Sequence, residues 1–174
     1  MKIYIACLLF ISFVHCTYYR AAVVEYSPYY ELGFVNRTTA ESIMNRNLDQ
    51  YELYVQEAQG EYVDIILFPE DGLYGASFYT RDEILPYLEF IPDVDNDNYV
   101  NPCDELSTIS PILSRASCIA KMYNITMGLD MGEIKLCDKD TDSNCPSDNR
   151  YQYNTLVVFA SSGDVCNFKL YNFI

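Results

Sequence analysis

The chain has 174 residues and a formal net charge of −14, from 25 acidic side chains against 11 lysines and arginines. This excess of acid disfavours nucleic acid and anionic membrane surfaces as partners, because both are bound through clustered lysine and arginine. Half of the residues are hydrophobic, so the chain can form one domain with a substantial core and is unlike a disordered acidic tail.

The N terminus has the pattern of a secretory signal peptide. Lys2 supplies a positive charge, residues 3–14 form an almost unbroken apolar run, and small residues favour cleavage after Cys16. The run is too short to span a bilayer; a buried strand or helix is the alternative reading. The sequence therefore predicts a signal peptide over 1–16 and one domain over 17–174, in a secreted, extracellular protein.

The predicted cleavage removes the chain's single histidine, His15. A mature chain without histidine cannot use Ser-His-Asp or Cys-His catalysis and lacks a common zinc ligand. Acid–base chemistry would then have to come from another residue type, and no metal site is predicted.

The first part of the domain is predicted to run strand, helix, strand. Residues 20–26 are expected to form a buried first strand. A helix should follow a loop, with Thr38 as its N-cap and Glu41 completing a capping box. Its apolar residues recur at helical spacing to about Gln59, and Gly60 is expected to end it.

The second strand, residues 63–68, ends at a proline and is followed at once by a carboxylate, Glu70. In open α/β sheets, ligands bind beyond the C-terminal ends of the strands. Glu70 is therefore the main candidate for a functional side chain. The alternative is an ordinary carboxylate that is solvated or caps a helix.

The second part of the domain is predicted to begin with an irregular segment, 72–102, whose acidic cluster at 93–98 is expected to be solvated rather than to bind calcium. A helix is predicted over 109–123, and the polar segment 133–150 is expected to be an insertion. Further strands are predicted at 125–131, 153–160 and 165–170.

Two kinds of modification are predicted from short patterns. The cysteines left after cleavage are Cys103, Cys118, Cys137, Cys145 and Cys166. In a secreted protein they are expected to form disulfides. Cys137 and Cys145 bracket a polar loop and are the predicted local pair, whereas the other partners stay open and one thiol is left over. Asn36 and Asn124 begin glycosylation sequons.

Several segments together resemble the carbon-nitrogen hydrolase (nitrilase) superfamily, and within it the vanin and biotinidase branch. FPEDGLYG at 68–75 is similar to the segment that carries the branch's catalytic glutamate. NPC at 101–103, LSRASC at 113–118 and RYQYNT at 150–155 are similar to its cysteine-bearing and strand segments. The resemblance implies an α/β fold of the nitrilase type, an αββα layered sandwich of which this sequence would supply the first half.

The resemblance also implies a chemistry. Members hydrolyse non-peptide amides, such as pantetheine and biocytin, with a Glu-Lys-Cys site and no metal or organic cofactor. The glutamate takes the proton of the cysteine thiol, the thiolate attacks the amide carbonyl, and the lysine stabilises the oxyanion. Glu70 matches the position of that glutamate.

The other two members of the site match less directly. The family's lysine position aligns with Leu170, and Lys169 lies one residue earlier, facing the other side of the strand unless a bulge turns it. The nucleophilic cysteine, and any GPI-anchor signal, would follow Ile174. The sequence is expected to be a fragment of a secreted amidase that is inactive alone, with an incompetent binding module of the same fold as the alternative.

Overall fold

One mixed β-sheet organises the chain, which we describe from a computed structural model over residues 18–94, 99–166 and 172–173, for the last two as backbone. The helices are α1 (Arg37–Gly60), α2 (Arg81–Ile84), α3 (Pro102–Glu105) and α4 (Pro111–Tyr123), with a 3₁₀ turn at Leu85–Tyr87. The strands are β1 (Ala21–Val23), β2 (Ile65–Leu67), β3 (Thr126–Leu136), β4 (Arg150–Phe159), β5 (Val165–Cys166) and β6 (Asn172–Phe173).

The sheet has the order β1-β2-β3-β4-β5, and β6 also pairs with β4. β1, β2 and β3 are parallel, while β4 is antiparallel to β3, β5 and β6. The parallel neighbours are joined by crossovers that contain α1 and α4, as parallel pairing requires. The predicted α/β fold, with neighbouring strands in one sheet, is confirmed.

The two faces of β4 show where the core lies. Thr155, Val157 and Phe159 are buried, whereas Leu156 and Val158, which point the other way, are half-buried. Val157 and Phe159 belong to one apolar cluster with the buried faces of α1 and α4, and burial of this kind is the main source of stability. The described chain thus supplies a helical layer on one face of a sheet.

Two details of the N-terminal part differ from the prediction. β1 is an edge strand rather than a buried one: Val23 is 80% exposed, because β2 is the one strand of the described residues that pairs with β1. The N-cap of α1 is Asn36 rather than Thr38, since the Asn36 side chain accepts the Thr39 N–H at 2.9 Å. Asparagine is as good a cap as threonine or better, so the helix begins earlier.

The C-terminal part is more regular than predicted. The segment that was predicted to be irregular contains α2, whose N terminus is capped by a capping box between Thr80 and Glu83. β3 continues to Leu136 and pairs with β4 from Arg150 onward, so the polar insertion shrinks to the loop 137–149. The β3–β4 hairpin is the longest paired unit of the described sheet.

Two disulfides hold these elements. The predicted pair Cys137–Cys145 is present and closes the hairpin loop, and Cys103–Cys118 joins α3 to α4. Four of the five cysteines left after the predicted cleavage are therefore paired. Cys166 is the one left over, a free and exposed thiol. Among the described residues, no helix has the length and apolar character needed to cross a bilayer.

Candidate active site around Glu70

Glu70 lies just beyond the C-terminal end of β2, at the point where the chain leaves the sheet. The Phe68 N–H still donates to the Gly128 carbonyl of β3 at 2.9 Å, which continues the parallel pairing past Leu67. Pro69 cannot donate a further bond, and the chain turns. The Glu70 side chain is exposed, so its carboxylate can be reached by a ligand at this edge of the sheet.

A tight turn after Glu70 fixes the direction of the chain. Asp71 has a φ of 56°, in the left-handed region that most residues avoid but aspartate tolerates. Its carbonyl accepts the Gly75 N–H at 2.7 Å, and its N–H donates to Asp130 Oδ2 at 2.8 Å. Asp130, on the middle strand β3, therefore anchors the backbone next to Glu70.

The Glu70 carboxylate itself is held by β4. Asn154 Nδ2 donates to Glu70 Oε1 at 2.6 Å. In the register of the hairpin, Asn154 is opposite Gly132 and Leu156 is opposite Asp130, so Asn154 and Asp130 project from the same face. Glu70 is thus approached by one side chain from each of two adjoining strands, directly by Asn154 and through the backbone by Asp130.

The site is electrostatically negative. Burial raises the pKa of Asp130 from its ordinary 3.8 to about 7, and the charges of Asp71 and Glu70 add to the increase, although the Asp71 N–H opposes it. Burial and the Glu70 charge also raise the pKa of Asp71. Three carboxyl groups therefore share a small region, which favours a cationic partner such as a lysine ammonium.

Close packing beneath the turn depends on Gly72. The Tyr51 ring of α1 stacks on Phe68, with ring centroids 3.8 Å apart. Its Oη lies 2.0 Å from where a Cβ on residue 72 would be, and the Pro69 carbonyl oxygen lies 3.0 Å from that point. Any side chain at position 72 would push against α1, so glycine is needed for the turn to approach the helix.

A double-mutant cycle tests this packing. We expect Gly72→Ala to destabilise the chain by about 3 kcal/mol, because the added methyl overlaps Tyr51 Oη. Tyr51→Phe removes a buried hydroxyl that has no partner in the described chain, so it should be neutral or stabilising. In the double variant much of the loss should be recovered, as measured by urea unfolding. Additive effects would show that Tyr51 is not the obstacle.

The other predicted site residues lie away from Glu70 or outside the described chain. Lys169 and its alternative Leu170 fall outside the described residues, as does the predicted signal peptide. Asn36 and Asn124 are both exposed. Asn36 caps α1, and Asn124 ends α4 in the left-handed conformation with a φ of 50°.

Sequence reasoning missed two residues of the site. Asp130 interrupts the apolar run of β3, and a lone carboxylate in a strand taken as buried was a usable signal. Asn154 belongs to the RYQYNT segment that carried part of the resemblance, but the sequence did not indicate that it would meet Glu70, 84 residues away.

Curated proteins similar to this chain are pantetheinases and biotinidases. Pantetheinase from Homo sapiens is 42% identical over 167 residues, which are 92% of this chain and 32% of the relative. Biotinidase from Bos taurus is 39% identical over 150 residues, 83% of this chain and 28% of the relative. The chain thus spans about a third of the length of these relatives. No protein-family model matches it.

Solved structures support the fold. An N-terminal amidase in complex with a Gln-Gly peptide matches with a TM-score of 0.50 and 20% identity, over 88% of this chain and 28% of that one. The NitN amidase from Neterenkonia sp. AN1 matches with a TM-score of 0.50 and 15% identity, over 89% of this chain and 46% of that one. The described sheet and helices therefore correspond to part of the larger fold of these amidases.

Proposed function

Because this chain belongs to the vanin and biotinidase branch of the carbon-nitrogen hydrolases, corresponding to its N-terminal portion, we propose that Glu70 is the general base of a secreted amidase. The observation that carries the proposal is the position of Glu70: an exposed carboxylate beyond the end of β2, held by Asn154. A carboxylate so placed can accept a proton from a nucleophile that approaches the sheet edge.

The reaction that we propose proceeds in two stages. Glu70 takes the proton of a cysteine thiol, and the thiolate attacks the carbonyl carbon of the substrate amide. The tetrahedral intermediate collapses, the C–N bond breaks, and the amine leaves with the proton that Glu70 returns. Glu70 then activates water, which releases the acid from the thioester. We place the nucleophilic cysteine in the part of the relatives that this chain does not span.

Lys169 is the proposed source of the positive charge in this site. The negative region formed by Glu70, Asp71 and Asp130 would attract an ammonium group, and that group would stabilise the oxyanion of the intermediate. If Leu170 instead occupies the lysine position, the protein lacks this charge and is a binding module rather than an enzyme. Leu170→Lys should then create activity, whereas Lys169→Ala should abolish it if Lys169 is the catalytic lysine.

The proposed substrates are the non-peptide amides that the family resemblance implies: pantetheine, which would give pantothenate and cysteamine, and biocytin, which would give biotin and lysine. The test uses the complete open reading frame that contains this sequence, expressed in a secretory host. Purified protein is incubated with each compound, and the released amine is measured. Turnover of either compound supports the proposal, and hydrolysis of neither overturns it.

Secretion and glycosylation are part of the same proposal. Residues 1–16 would be removed, and Asn36 and Asn124 would carry glycans in the exposed positions that the fold gives them. Secreted protein should begin at residue 17 and lose mass on treatment with a glycosidase. Thr38→Ala destroys the first sequon while keeping the Asn36 cap, so it should remove one glycan without unfolding α1. Retention in the cell with an intact N terminus would contradict the proposal.

A further inference from the structure

We propose that Asn154 is a positioning residue that holds the Glu70 carboxylate in the orientation needed for proton transfer. The inference rests on the proposed function of Glu70. It goes beyond that function in assigning a role to the β4 side chain that touches the base. Asn154 Nδ2 donates to Glu70 Oε1 at 2.6 Å, and a hydrogen bond to an ionised acceptor is among the stronger kinds.

Asn154 is itself held by the sheet. Its backbone lies in β4 between β3 and β6, paired with Gly132 on one side and Asn172 on the other. Across from it, the volume that a side chain at Gly132 would need is filled by Leu88 and Tyr74. Asn154 therefore projects from a rigid strand whose surroundings restrict its movement.

Glu70, by contrast, has little else to fix it. Its side chain is exposed, and the bond from Asn154 is the one hydrogen bond to its carboxylate found among the described residues. A free glutamate side chain samples many rotamers, and fixing it costs side-chain entropy. The charge-assisted bond from Asn154 offsets that cost and leaves Oε2 available to accept a proton.

The asparagine carries a cost that packing does not explain. Its Oδ1 is buried and has no hydrogen-bond partner in the described chain, and such an orphaned acceptor is unfavourable. On the same face of β4, Asn154 lies between the buried Gln152 and the apolar Leu156. The bond to Glu70 is the contact of the Asn154 amide that gives it a role in the site.

The test compares activity with stability in the protein expressed from the complete reading frame. Asn154→Leu should lower kcat by about 10- to 100-fold, the equivalent of one charge-assisted hydrogen bond, while KM changes little. Its midpoint in urea should be unchanged or higher. Asn154→Asp keeps the shape but removes the donor and adds a repelling charge, so it should lose at least as much activity at neutral pH.

A cycle with Glu70 separates positioning from a general structural role. In a Glu70→Gln background, Asn154→Leu should cause no further loss, because the base that it positions is gone. Thr155→Val is the matched control, because Thr155 projects from the face of β4 opposite to Asn154. The substitution removes a hydrogen bond of 2.8 Å from Thr155 to Glu133 of β3, so it should lower stability and leave kcat unchanged.

Four results would overturn the inference or its premise. Wild-type kcat in Asn154→Leu and Asn154→Asp, with the wild-type enzyme active, would remove the inference alone. An equal loss in the Glu70→Gln background would assign Asn154 a structural role. Loss of stability parallel to loss of activity would do the same. A wild-type protein that hydrolyses no amide would remove the proposed function and this inference together.

Discussion

Glu70→Gln is expected to lower kcat for amide hydrolysis by about 10²- to 10⁴-fold, the range in which a general base contributes. Glutamine keeps the size of the side chain and can still bond to Asn154, but it cannot accept the thiol proton. The loss should therefore appear in kcat, with a small effect on KM. Release of cysteamine or biotin over time measures the effect directly.

Two further variants make the result specific to Glu70. Glu70→Asp keeps the carboxylate but shortens the side chain, so it loses the 2.6 Å contact with Asn154 and should fall between wild type and the glutamine variant. Glu57→Gln removes an exposed carboxylate from the C-terminal part of α1, which leads into the opposite end of β2, and should leave kcat unchanged. A Glu70→Gln protein with wild-type kcat would exclude Glu70 as the base.

The position of Glu70 was predictable because it depends on local sequence. A β-branched run that ends in proline defines a strand end without any knowledge of the partner strands. The fold class followed for the same reason, since a long amphipathic helix between two apolar strands constrains the sheet. The Cys137–Cys145 pair was also a local feature, closing a loop between two strands that are adjacent in sequence.

What escaped prediction depends on contacts between distant residues. Whether β1 is buried depends on whether a second strand pairs with its other edge, and the hydrophobic character of Val23 does not indicate this. The cap of α1 was misplaced because Asn36 and Thr38 are both good N-caps, and the backbone geometry chooses between them. Asn154 and Asp130 reach Glu70 only because the β3–β4 hairpin brings both to the end of β2.

Asp130 illustrates how such a contact changes a residue's chemistry. Asp130 is 8% exposed, and its carboxyl lies near two further acids, Asp71 and Glu70. The pKa values of Tyr51 and Tyr74 are raised by burial and, to a smaller extent, by the Asp130 charge. In the sequence, the apolar neighbours of Asp130 along β3 indicate that its carboxylate is buried, but they do not indicate that it meets Asp71 and Glu70.

We expect Asp130 to make the chain less stable as the pH rises from about 4 to about 7. Its pKa is raised from 3.8 to about 7 in the folded state, so the folded chain binds this proton more tightly than the unfolded chain. The stabilisation is fully present below the ordinary pKa and is lost as the pH passes the folded value. The rise of the pKa from 3.8 to about 7 corresponds to at most about 4 kcal/mol in the free energy of unfolding.

Asp130→Asn should flatten this dependence. The amide oxygen can still accept the Asp71 N–H, but no charge is buried at any pH, so the variant should match wild type near pH 4 and exceed it near pH 8. Urea unfolding across this range measures the difference. Asp148→Asn is a control whose pH dependence has the opposite sign. The hydrogen bond from Arg81 lowers the pKa of Asp148, so the stabilisation that Asp148 gives the folded chain is lost as the pH falls. If the free energy of unfolding of Asp130→Asn depends on pH in the same way as that of wild type, the buried charge of Asp130 does not destabilise the folded chain. Asp130 would then anchor the turn beside Glu70 without a loss of stability at neutral pH.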